Sequence, residues 1–153
     1  VNLLKLLVPI VALACASASA EDIYSIRIFQ NDAIQVQQDI RLPLRTPVIT
    51  HNLDAKEHSE RKLKTLVKSK VDEVPKRGSV KEAYLSAFSD IQNGPQWNAI
   101  YQEIVASTEP EERAVRYGIK KIPAIVINDK YILYGIHSLE EAIRVYAERG
   151  KRQ

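Results

Sequence analysis

The order of signals between Tyr117 and Gly150 constrains the fold more than anything else in the chain. Gly118 follows a helical pattern, where a left-handed cap residue ends a helix. Ile119-Lys120-Lys121-Ile122-Pro123 then leads into Ala124-Ile125-Val126-Ile127, a short strand of the buried type. Asn128-Asp129-Lys130 supplies turn chemistry, and Tyr131-Ile132-Leu133-Tyr134 returns as the second strand of a hairpin. Gly135 ends it. Ser138-x-x-Glu141 caps a final helix that turns Leu139, Ala142, Ile143 and Tyr146 inward and closes at Gly150.

Upstream, the chain carries strands first and helices second. Ile23 to Phe29 alternates apolar and other side chains and predicts a strand. In residues 30–46 the apolar positions Ile34, Val36, Ile40, Leu42 and Leu44 fall at even spacings, which suits extended chain better than a helix. Pro47 to Leu53 predicts a second strand. Asp54-x-x-Glu57 opens a long helix with Leu63, Leu66 and Val67 on its apolar stripe, and Glu57/Arg61 and Glu60/Lys64 are spaced to pair across one turn. After the break at Pro75-Lys76-Arg77-Gly78, Ser79-x-x-Glu82 caps a second helix with Tyr84, Ala87, Phe88 and Ile91 facing inward. Asn93-Gly94-Pro95 stops it. A third helix presents Trp97, Ile100, Tyr101, Ile104 and Val105, and Thr108-x-x-Glu111 starts a last short one. Residues 54–117 are therefore helical, and 153 residues support a single domain.

The first twenty residues follow a different logic. Lys5 precedes the apolar run Leu6 to Ala14, and small residues lead to Ala18-Ser19-Ala20 before Glu21. That is the order of a cleavable signal peptide, so residues 1–20 are expected to be removed and 21–153 to work outside the cytoplasm, in the periplasm. The apolar run is too short to span a bilayer, which leaves no membrane-spanning segment after cleavage. Cys15 is the only cysteine. Ala12-Leu13-Ala14-Cys15 loosely matches a lipidation box, and a lipoprotein anchored through Cys15 ranks second because the usual leucine three residues earlier is missing. On either reading the rest of the chain has no thiol, so disulfides, dithiol redox centres and thiolate metal sites are excluded there.

Charge points to no polyanion. The formal charge is +3, and loss of residues 1–20 removes Lys5 and no acid. Basic residues outnumber acids between Lys56 and Lys81, but they interleave with Leu and Val at helical spacing, the pattern of a solvated helix face. No direct nucleic-acid contact is expected. His51, His58 and His137 have neither the spacing nor the neighbouring carboxylates of a metal or catalytic motif and read as ordinary polar residues. The chain has no G-x-S-x-G and no Gly-rich phosphate loop, and no cofactor or metal is called for.

The phrase from Tyr117 to Ile127, followed by Lys130-Tyr131-Ile132-Leu133-Tyr134-Gly135, resembles thioredoxin-like proteins. More specifically, it is similar to a family of exported proteins of unknown biochemical function encoded by bacterial integrating conjugative elements. The match is close over residues 117–149 and rests on the order of elements over 23–116. The resemblance implies an α/β thioredoxin-like fold with residues 54–117 as a helical insertion between the N-terminal strands and the proline-led hairpin. It also implies that the Ile122–Pro123 bond is cis, and that Ile122, Pro123 and Ala124 form a loop whose backbone can pair with an extended peptide. The alternative is a proline that merely starts an edge strand. Asn31 and Asp32 should face that loop, where a redox relative would carry Cys-x-x-Cys. The function implied is that of a non-catalytic interaction or assembly protein of a conjugation apparatus, with other envelope proteins as partners. A periplasmic peptide-binding chaperone, or a hydrolase of unrecognised type, is the alternative; paired carboxylates in a pocket beside Pro123 would favour the enzyme.

Overall fold

A computed structural model describes residues 22–42, 46–73 and 78–150. The signal segment 1–20 with Cys15, Leu44 and the break at Pro75–Arg77 lie outside the described residues. The elements run β1 (Ile26–Gln30), β2 (Val48–Asn52), α1 (Ala55–Glu73), α2 (Val80–Gln92), α3 (Trp97–Ser107), α4 (Glu109–Tyr117), β3 (Ala124–Ile127), β4 (Tyr131–Tyr134) and α5 (Leu139–Gly150). The sheet is mixed, in the order β2-β1-β3-β4, with β1 parallel to β2 and antiparallel to β3, and β3 antiparallel to β4.

The apolar patterns follow from cover on both faces of this sheet. Ile26 and Ile28 of β1 join Ile125 and Ile127 of β3, Leu133, and Leu139, Ala142 and Tyr146 of α5 in one buried cluster. Side chains one residue out of phase, Phe29, Ala124 and Val126, turn to the other face and meet Ala114 of α4. The central strand β3 is buried on both faces, which is why residues 124–127 show no polar alternation. A third cluster, Val67, Ala87 and Ile91 with Leu63, Leu66, Phe88, Trp97 and Ile100, holds α1, α2 and α3 together.

Local signals settle several boundaries. Asn128 and Asp129 both sit at positive φ (54° and 53°), the pattern of the tight turn whose twist matches a hairpin. Gly118 ends α4 in the left-handed region. The box at Ser79 forms in both directions, the Ser79 hydroxyl accepting from the Glu82 N–H and the Glu82 carboxylate from the Ser79 N–H.

Two other expected boxes do not form. The Asp54 carboxylate accepts the N–H of Asp32 (3.1 Å), and Glu57 pairs with Arg61, so neither is left to cap α1. Thr108 has helical backbone angles because α3 runs almost directly into α4, and its hydroxyl donates to the Val105 carbonyl. The pair Glu60/Lys64 is also absent, since both side chains are exposed and gain little from meeting. Tyr84, Tyr101 and Val105, placed inward by periodicity, are 41%, 50% and 47% exposed. The stripes of α2 and α3 are wider than the surface α1 offers to cover them.

Segment 31–42 has no helix, and its one ladder-type bridge joins Gln37 to Ser138. The Ser138 hydroxyl donates to Asp39, and Asp39 also accepts the N–H of Glu140, so this extended segment caps α5 from outside. Asp39 is held below the usual carboxylate range mainly by the Ser138 hydroxyl.

Candidate functional site

β1 and β2 end, and β3 begins, at the same end of the sheet, because β1 and β2 are parallel and β3 runs against them. Three chain segments therefore converge there: the loop after β1, the turn from β2 into α1, and the loop before β3.

The loop after β1 is a closed turn. The Asn31 side chain accepts the Ile34 N–H at 2.7 Å, and the Asn31 N–H donates back to the Ile34 carbonyl at 3.1 Å. Asp32 is the hub. Its carboxylate accepts from Asn52 Nδ2 at 2.8 Å and meets His58 Nε2 at 2.7 Å, while its own N–H donates to Asp54. The Asn52 amide, with His58 adding to it, holds Asp32 below the ordinary aspartate range. Asp32 is thus a fixed negative charge at the head of α1.

The loop before β3 is the second half. The Ile122–Pro123 bond is cis. Pro123 accepts the Gly135 N–H at 3.0 Å, which ties the loop to the end of β4, and Ala124 is fully buried opposite Phe29. Ile122 is half-buried against the Phe29 cluster, yet neither its N–H nor its carbonyl has a hydrogen-bond partner among the described residues. Continuing the register Phe29↔Ala124 by two residues sets Ile122 opposite Asn31. The five site residues expected from the sequence, Asn31, Asp32, Ile122, Pro123 and Ala124, thus share one end of the sheet.

The partners of Asp32 were not legible. Asn52, Asp54 and His58 come from the β2–α1 junction, and only the pairing of β1 with β2 brings them to the loop. His58 and Asp32 form the acid–imidazole half of a hydrolytic arrangement, but no hydroxyl of a serine or threonine bonds to His58 among the described residues. No cluster of three or more histidine, cysteine or acidic side chains suited to a metal occurs among them either. No helix of the described residues is long and apolar enough to cross a membrane.

His51 is a correction to the reading of the histidines as ordinary polar residues. It is 3% exposed, stacked on Phe29 (ring centroids 4.8 Å apart, planes at 19°), and its Nδ1 lies 3.1 Å from Glu109 at the start of α4. Its Nε2 is buried with no partner. Burial pushes the His51 pKa down; Glu109 opposes this, and Arg27 and Arg113 reinforce it. Burial pushes Glu109 up, but the Arg113 hydrogen bond and the His51 contact outweigh it, and Glu109 stays below the usual range. A depressed histidine contributes stability that is full above its unfolded value, near 6.5, and lost as the pH falls through the lower folded value. The denaturation midpoint is therefore expected to drop between pH 7 and pH 5, and His51→Phe, which keeps a stacked ring without the proton, should flatten that drop. Identical pH profiles for the two proteins would show that His51 does not titrate this way.

No curated protein and no solved structure matches the chain. A family model for proteins of unknown function, DUF1525, matches residues 48–152, from β2 to the end of α5, and the chain belongs to that family.

Proposed function

We propose that this DUF1525 protein is a non-catalytic, thioredoxin-like protein of the cell envelope that holds an extended segment of a partner protein against the Ile122–Pro123–Ala124 loop. The partner is another envelope component of a conjugative transfer apparatus, and the protein serves in its assembly. The observation that carries the reading is the unpaired backbone of Ile122. Each peptide group carries one donor and one acceptor, and in a sheet neighbouring strands take both up. Here an N–H and a carbonyl are left open just ahead of the inner strand β3, before its pairing with β1 and β4 begins, where they can pair with an extended peptide.

Three further features support it. The strand order β2-β1-β3-β4 with its one parallel pair, the proline at the head of β3 and the closing helix α5 are the arrangement expected of a thioredoxin-like domain, with α1–α4 as the helical insertion. The loop facing Pro123 carries Asn31 and Asp32 where a redox member needs thiols, and no cysteine follows Cys15. The sequence before Glu21 has the form of an export signal, which supports a periplasmic location.

Two measurements test this. The exported protein should neither oxidise nor reduce a model disulfide above the uncatalysed rate. In mating cells, a photo-crosslinker at Lys121 should trap a defined envelope protein of the transfer apparatus, while one at the exposed Lys68 of α1 should not, and loss of the gene should lower DNA transfer well below the parental frequency. Transfer at the parental frequency without the protein would refute the reading.

A further inference from the structure

We propose that the edge at Ile122 selects an acidic partner, an extended peptide that carries carboxylates beside the residues that pair with the loop. This rests on the reading of Ile122 as the residue whose open backbone pairs with an extended peptide. Backbone pairing is the same for every sequence, so selectivity has to come from side chains and from the field around the edge.

The distribution of charge at this end of the molecule carries the inference. Each nearby carboxylate already has a partner within the chain. Asp32 meets His58 and Asn52, Asp54 accepts from the Asp32 N–H, Glu57 pairs with Arg61, and Glu111 lies 3.5 Å from Lys56. The cations on the approach to Ile122 have no such partner. Arg116 in the last turn of α4, and Lys120 and Lys121 in the loop after it, are exposed and form no ion pair with a carboxylate among the described residues. The Lys121 ammonium lies over the ring of Tyr134, 5.7 Å from its centroid. No acidic residue occurs from Ala114 to Asn128. Val115, 81% exposed, adds an apolar spot beside Arg116.

A carboxylate on an incoming strand would thus meet Lys120 and Lys121 with no carboxylate of the chain paired to either, and Arg116, for which Glu112, one turn earlier and held only by the Thr108 hydroxyl, competes. A nucleic acid fits less well. The sugar–phosphate backbone of DNA offers acceptors only, so it would meet the Ile122 N–H or the cations and leave the Ile122 carbonyl unpaired. The aromatic rings that could stack bases are engaged, Tyr117 with Asp129 and Tyr134 with Lys121 and the Lys120 N–H.

The test uses blocked peptides of alternating valine with glutamate, glutamine or lysine, and an oligodeoxythymidylate, titrated into the exported protein with the Ile122 amide signal as a second readout. The glutamate peptide should bind roughly tenfold tighter than the glutamine one at low salt, shift the Ile122 amide, and lose most of that advantage at about 0.5 M salt. The variant Arg116→Gln/Lys120→Gln/Lys121→Gln should bind both peptides alike, whereas Lys64→Gln/Lys68→Gln, which neutralises exposed cations on α1, should keep the preference. Equal affinity for the two peptides with the Ile122 amide still shifted would overturn the acidic preference and leave the strand edge standing. No shift at Ile122 with any peptide would overturn both. Binding of the oligonucleotide that needs the three cations, without binding of the glutamate peptide, would assign the cations to a polyanion instead.

Discussion

Phe29→Ala is expected to cost about 3–5 kcal/mol, a large part of the roughly 5–15 kcal/mol that holds a domain of this size together. The ring is fully buried on the central strand β1, stacked on His51 and edge-on to Tyr117 at 5.9 Å. Ala124, directly opposite, is too small to move into the space. Phe29→Leu should cost well under half as much, since it leaves a smaller void. The same residue joins both halves of the candidate site, because β1 runs on into the Asn31–Asp32 loop and Ala124 follows Pro123. Chemical denaturation checks the prediction, and a loss below about 1 kcal/mol would mean that the ring is not packed as described.

Asn128→Ala should cost about 3 kcal/mol or more, although the residue lies in a turn. Its side chain accepts the Tyr24 N–H at 2.8 Å and the Ser25 N–H at 3.3 Å, and donates to the Asp22 carbonyl and the Tyr146 hydroxyl, both at 3.0 Å. The backbone carbonyl accepts from the Tyr24 hydroxyl. Alanine would strand several of these groups and would also have to hold φ near +54°. Asn128→Gly relieves the second problem only, and Asn128→Asp keeps the acceptor but not the donor, so both should fall between alanine and the parent. Equal stability of the alanine variant and the parent would show that the N-terminal segment is not anchored through this turn.

What could be read from the sequence was what depends on neighbours in the chain. The hairpin, the inward face of α5 and the box at Ser79 each follow from residues a few positions apart, and each formed as expected. The boxes at Asp54 and Thr108 have the same local pattern and failed for different reasons: the Asp32 N–H reaches Asp54 from a distant loop, and Thr108 keeps helical angles between α3 and α4 with its hydroxyl on the Val105 carbonyl one turn back. Helical periodicity turned Tyr84, Tyr101 and Val105 inward, but the structure leaves all three exposed, because periodicity does not report where the opposing surface ends. The roles of His51 and Asn128 were invisible for the same reason. The carboxylate beside His51 is supplied by α4, and the groups around Asn128 come from the start of the chain and from α5. Of the site, the loop residues were legible from their positions around the two strands, whereas the Asn52–Asp54–His58 cradle that fixes Asp32 exists only once β1 pairs with β2.

Amide hydrogen exchange at Ile122 bears most directly on the claim that the open backbone groups ahead of β3 are what this protein uses. In the free protein the Ile122 amide should exchange almost as fast as in an unstructured peptide, while Val126, four residues on in the centre of the sheet, is protected by orders of magnitude. Saturation with the glutamate–valine peptide should slow Ile122 strongly and leave Val126 unchanged. An Ile122 amide already protected in the free protein, or one left fast in the complex, would contradict the account.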